Sequence, residues 1–113
     1  MKVAIIGSRE CGNLTLEQVI ESVPEGASLI VSGGAIGADS FAKKVAIALN
    51  LPFEEILPDY KTFGKIAPLV RNKTIIDRAD FILAFWNYKS KGTQNALMEG
   101  LKQDKEIKII EIE

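Results

Sequence analysis

Histidine is absent from this chain of 113 residues, and cysteine occurs once, as Cys11. The first absence excludes Ser–His and Cys–His nucleophile pairs and any imidazole-ligated metal within one chain. The second excludes an internal disulfide framework. No apolar run approaches the ~20 residues needed to cross a bilayer, so no membrane association is expected. Met1 and Lys2 lead into only the short apolar stretch Val3 to Ile6, which does not make a secretory leader. A free cysteine without a leader points to the cytoplasm. Neither sign of charge is in excess: 14 Lys and Arg stand against 15 Asp and Glu, a net charge of −1. Dedicated nucleic-acid binders draw affinity from a basic excess, so this balance predicts no nucleic-acid partner.

What is present is the composition of a globular fold, with 47% hydrophobic and 26% charged residues. The length suits a single domain over residues 1–113. Short apolar runs alternate with amphipathic stretches. Val3 to Ile6, Leu29 to Val31, Phe53 to Leu57, Phe81 to Trp86, and the Ile107, Ile109 and Ile112 stretch read as five strands. The first and fourth are continuously apolar, as strands covered on both faces are. Glu54, Glu55, Lys108 and Glu111 suit edge positions for the third and fifth. Thr15 with Gln18 forms a capping box ahead of a helix ended by Pro24 and Gly26. A second helix carries Ala38, Ala42, Val45, Ala46 and Leu49 on one side and stops near Asn50. Residues 58–65 read as loop. A third helix, with Pro68 in its first turn, presents Leu69, Ile75, Ile76 and Ala79 as its apolar side. A fourth is capped by Thr93, runs through Lys102 and faces inward with Ala96, Leu97 and Leu101. Strands alternating with helices predict an α/β fold with a parallel sheet covered on both faces.

In such a sheet, ligands bind beyond the carboxyl ends of the strands, where the strand order reverses. For an order 3-2-1-4-5 that point lies between strands one and four, and three loops converge on it. The sharpest is Ser32-Gly33-Gly34-Ala35-Ile36-Gly37-Ala38-Asp39, between a strand and a helix. Its glycines allow close backbone approach, and the helix start that follows attracts phosphate. It lacks the Gly-Lys-Ser/Thr of a P-loop, and Ser32 stands where a dinucleotide fingerprint has its first glycine. A tight turn with close helix packing is the plain structural alternative. Gly7-Ser8-Arg9 adds a turn, a hydroxyl and a guanidinium suited to bidentate anion contact, unless Arg9 pairs with Glu10. Gly92-Thr93 opens another helix at the same edge. Arg71, judged by spacing alone, is a solvated helix charge. Cys11 reads as a small filler.

The carboxylates say less. Asp39 caps a helix or accepts from a ribose. Asp59 follows Pro58 as a turn residue, or is the ribose acid of a dinucleotide site. Glu99 lies within a helix. No pair of acids is spaced to demand a metal, and no cofactor is expected. A nicotinamide-dependent dehydrogenase is the weakest reading, lacking both the fingerprint glycine and a substrate domain. Charge is mildly polarised: residues 1–60 hold four basic and eight acidic groups, and residues 61–113 hold ten and seven.

Gly7-Ser8-Arg9, Ser32-Gly33-Gly34-Ala35-x-Gly37-Ala38-Asp39, Arg71-Asn72, Asp80 and Gly92-Thr93 together resemble the SLOG superfamily. The similarity is greatest to its small stand-alone branch with GSR, SGGAxGAD and RN motifs. The superfamily also holds DNA-processing protein A of bacterial transformation and the LOG lysine decarboxylase-like phosphoribohydrolases. The resemblance spans almost the whole chain. It implies a Rossmann-like three-layer sandwich and a nucleotide pocket, and it brings Arg71, Asn72 and Asp39 in as ligand contacts. The chain departs from the LOG pattern at its fourth loop, where Ala96 takes the place of the catalytic Glu.

The expected function is therefore binding of a nucleotide-derived small molecule, as in a sensor, by Gly7, Ser8, Arg9, Ser32, Gly33, Gly34, Ala35, Gly37, Asp39, Arg71, Asn72, Gly92 and Thr93. Alternatives are a hydrolase of an N-glycosidic or phosphoester bond, using Asp39 and Glu99 as acids, and a DNA-binding role like that of DNA-processing protein A. Apolar helix surface leaves association into a homodimer open.

Overall fold

A computed structural model of the chain describes residues 1–33 and 40–112. Five strands, β1 (Lys2–Gly7), β2 (Leu29–Ser32), β3 (Phe53–Glu55), β4 (Phe81–Trp86) and β5 (Glu106–Glu111), form one sheet. The sheet is wholly parallel and ordered β3-β2-β1-β4-β5. Helices α1 (Leu16–Ser22) and α2 (Phe41–Ala48) lie on one face. Helices α4 (Ala67–Arg78) and α5 (Lys91–Lys102) lie on the other, and the single-turn α3 (Tyr60–Phe63) precedes α4. This is the Rossmann-like α/β architecture that the alternation predicts.

The continuous apolar runs are explained by pleating, which sends successive side chains to opposite faces. Val3 and Ile5 of β1 and Phe81, Leu83 and Phe85 of β4 join Val19, Ala42, Val45 and Ala46 in one core. Ala4, Ile6, Ile82 and Ala84 join Ile75, Ile76, Ala96 and Leu97 in the other. The charged strands β3 and β5 are the sheet edges, and Glu54 pairs with Arg78 of α4.

Local signals account for the helix ends. Thr15 Oγ1 accepts from Gln18 N at 3.2 Å while Gln18 Oε1 accepts from Thr15 N at 2.9 Å, so the capping box is complete. Helices α2 and α5 both stop on a left-handed residue, Asn50 (φ 56°) and Asp104 (φ 56°). Leu51 N and Lys105 N reach back to Ala46 O and Gly100 O, the bonds of a Schellman motif. Three expectations shift. Helix α5 begins earlier than Thr93, capped by Ser90. The 58–65 segment is not all loop: Asp59 caps α3 by accepting from Thr62 N at 3.1 Å. Leu69, Leu49 and Leu101 are exposed rather than packed on their helices' apolar sides. None of the described helices is long and apolar enough to cross a membrane.

Candidate functional site

At the carboxyl ends of β1 and β4, the point of reversal, lies a cavity of about 270 Å³. Gly7 and Arg9 enter it from the loop after β1. Pro68, Leu69, Arg71 and Asn72 enter from α4, and Ser90, Gly92 and Thr93 from the start of α5. Ile6, Ile75 and Ala96, all buried, close its base. No carboxylate is among the described residues that line it.

The two guanidiniums set its electrostatics. Arg9 is exposed and has no hydrogen-bond or ion-pair partner among the described residues, so Glu10 does not neutralise it. Arg71 is half-buried on α4. Its Nε donates to Asn72 Oδ1 at 3.1 Å and its Nη1 to Gly33 O at 3.3 Å. Both acceptors are neutral, so they fix the guanidinium in place without cancelling its charge. Asn72 Nδ2 in turn donates to Gly92 O at 3.3 Å and to Asn95 Oδ1 at 3.5 Å, tying α4 to the first turns of α5. The Ser90 hydroxyl takes Thr93 N at 3.3 Å and lies 3.0 Å from Thr93 Oγ1. Two cations, a carboxamide and the positive end of a twelve-residue helix thus surround one concavity, an arrangement that attracts an anion.

Of the residues singled out in the sequence, Gly7, Arg9, Arg71, Asn72, Gly92 and Thr93 meet at this cavity. Ser8 and Ser32 do not line it. Ser8 is buried: its Oγ donates to Asn87 Oδ1 at 3.0 Å and accepts from Asn87 N at 3.1 Å, joining the loops after β1 and β4. Ser32 is also buried, and its hydroxyl donates to Ile5 O at 2.9 Å. Gly33 takes part through its carbonyl, which receives Arg71. Gly34, Ala35, Gly37 and Asp39 fall outside the described residues, as does Ala38. Glu99 is not at the cavity; its carboxylate accepts from Gln103 at 3.1 Å. Pro68, Leu69 and Ser90 were missed, and so was Asn87. Its side chain accepts from Lys89 N at 2.9 Å and Ser90 N at 3.0 Å, an Asx turn that sets the course of the β4–α5 loop. An Asn directly after an apolar strand was the available signal.

A second cavity, about 360 Å³, opens on the opposite face between α1 and the ends of β4 and β5. Cys11, Phe85, Ile110 and Ile112 line it together with the polar Gln18 and Ser22, and Glu21 and Glu111 are its carboxylates. With two carboxylates and no cation among its described lining residues, it is a poor host for an anion.

Residues 1–61 match the model of the family described as DNA recombination-mediator protein A. Among solved structures, the chain is similar to DNA processing protein A from Streptococcus pneumoniae, with TM-score 0.78 and 18% identity over 96% of this chain and 49% of that one. It is also similar to DNA processing protein A from Helicobacter pylori, whose structure concerns that protein's single-stranded DNA binding mode. There the TM-score is 0.76 and the identity 24%, over 96% of this chain and 64% of that one. At such identities the likeness is one of fold. The chain spans about half and just under two thirds of these two relatives. No curated protein matches. The expected SLOG relation is borne out. The expectation that nucleic acid is not a partner is overturned, because the matched family and both structures are DNA-processing proteins. A net charge near zero does not exclude such a partner, because affinity for a polyanion depends on the cations gathered on one face, not on the sum over the molecule. On its first 61 residues and its fold, the chain belongs to the DNA recombination-mediator protein A family.

Proposed function

We propose that this protein binds single-stranded DNA at the rim between β1 and β4, holding backbone phosphates with Arg9 and Arg71. The observation that carries this reading is the pair of guanidiniums without carboxylate partners among the described residues, brought from two distant segments to one cavity with no described acid in its lining. Each presents a planar fork of donors suited to two phosphate oxygens. The amide end of α5 adds a third anion contact, and Asn72 holds α4 and α5 in register around it. A cavity of about 270 Å³ suits a phosphate and its sugar rather than a duplex. The exposed Lys61 and Lys65, just before α4, extend positive charge along the chain leading into the site. In this reading residues 1–113 act as one binding unit. The DNA-binding role of the Helicobacter pylori relative favours it over nucleotide sensing or hydrolysis.

Fluorescence anisotropy with a labelled single-stranded oligonucleotide tests the proposal. Binding is expected to weaken steeply with salt. Arg9→Ala and Arg71→Ala are each expected to cost about 1.5–3 kcal/mol, the scale of a hydrogen bond to a charged group. Each is also expected to flatten the log–log salt slope by about 0.7 per lost phosphate contact. Absence of binding at low salt, or binding indifferent to both substitutions, would overturn it.

A further inference from the structure

The loop from β4 to α5 carries an aromatic pair that phosphate binding does not use. The Trp86 and Tyr88 ring centroids are 4.5 Å apart with planes tilted by 34°. Trp86 packs on the core under α5, but Tyr88 is 56% exposed. Tyr88 also sits in the left-handed region, φ 62°, which disfavours bulky side chains and is held only where surroundings enforce it. The enforcement is visible. Asn87 Oδ1 accepts from Lys89 N and Ser90 N, and is itself anchored by Ser8 Oγ. Trp86 Nε1 donates to Ser90 O at 3.0 Å. Ser90 lines the cavity that holds Arg9 and Arg71. A rigid, outward-facing ring therefore lies on the segment that enters the phosphate site, flanked by the exposed Lys89 and Lys91.

We infer that Tyr88, backed by Trp86, is a stacking platform for a nucleobase of the bound strand, next to the nucleotide whose phosphate the rim holds. The inference rests on the single-stranded DNA reading above and assigns the base contact that reading lacks. One face of Tyr88 is occupied by Trp86, so an incoming base extends the stack by covering exposed ring. Every base has a π-face, so such a platform tolerates any sequence. A duplex, whose bases are already stacked, cannot use it.

The chain contains a single Trp, so its emission reports on this pair alone. The test compares a short oligo-dT with an abasic oligomer of the same length and charge. Oligo-dT is expected to bind wild type about tenfold tighter than the abasic strand, the factor expected of one stacked base, and to quench Trp86 where the abasic strand does not. Tyr88→Asn removes the ring with a residue that accepts the left-handed backbone. It should bring oligo-dT down to the abasic affinity and leave abasic binding unchanged, whereas Tyr88→Phe should keep the preference. Equal binding of both oligomers by wild type, still dependent on Arg9 and Arg71, would overturn the platform while leaving the phosphate site standing. Failure of wild type to bind either oligomer would overturn both.

Discussion

Arg71 shows how one side chain changes meaning when its neighbours are known. By spacing it is a solvated helix charge; in the fold its guanidinium rests on the carbonyl of Gly33 and faces a cavity shared with Arg9. Gly33 is small for that reason. A Cβ there would stand 2.5 Å from Arg71 Nη1 and 3.0 Å from its Cζ. The flexible guanidinium, not the backbone, would give way. Gly33→Ala is therefore expected to weaken single-stranded DNA binding by about 1 kcal/mol or more while lowering stability by about 1 kcal/mol, the low end of the range for overpacking a buried site. Anisotropy titrations beside thermal melts of the same variant would check both halves. The hydroxyls carry the same lesson. Ser8 and Ser32 look like ligand donors in their motifs, yet Asn87 and Ile5 engage them inside the protein. A short hydroxyl serves a loop-to-loop bond as well as a ligand, and only the tertiary partner decides between them.

Among the elements, those with a long local pattern were legible and those without one were not. β4 was readable to the residue because six apolar positions have no alternative to burial on two faces. The start of α5 was misplaced because Ser90 and Thr93 are both good caps, and the Asx turn at Asn87 decided for Ser90. Helix α3 has one turn, too short for any periodicity to register. Sequence pattern also hides how closely α5 approaches the sheet. Gly100, buried in that helix, has Ile82 Cδ1 at 2.6 Å and Ile107 Cδ1 at 3.1 Å from where a Cβ would stand. Gly100→Val is expected to destabilise the protein by about 1–3 kcal/mol through overpacking, despite removing a helix glycine. Urea unfolding at neutral pH would measure it, and an unchanged midpoint would show that α5 can move off the sheet.

Over the whole molecule, charge is better understood by place than by sum. The net charge of −1 conceals a rim with two guanidiniums that no described carboxylate pairs with, while several described acids work elsewhere. Asp77 is held below the usual carboxylate range by its hydrogen bond from Lys73, and Asp80 by the backbone N–H of Lys2. Asp59 is lowered by its bonds from Thr62. With folded values below the unfolded value of about 3.9, their contributions are fully present above that pH and are lost as pH falls through the folded values. Thermal melts are expected to show these contributions intact from neutral pH down to about 4 and failing below it. Asp80→Asn, which keeps an acceptor for Lys2 N–H but no titration, should give a shallower acid limb. The sequence by itself determined the five strands, the four longer helices and the parallel sheet, because burial imposes a periodicity that each of those segments carries alone. Only the tertiary structure decided which cations stay unpaired, which hydroxyls are already engaged and which aromatic ring is held out to solvent. Those properties belong to pairs of residues far apart in the chain, and no local pattern encodes the partner.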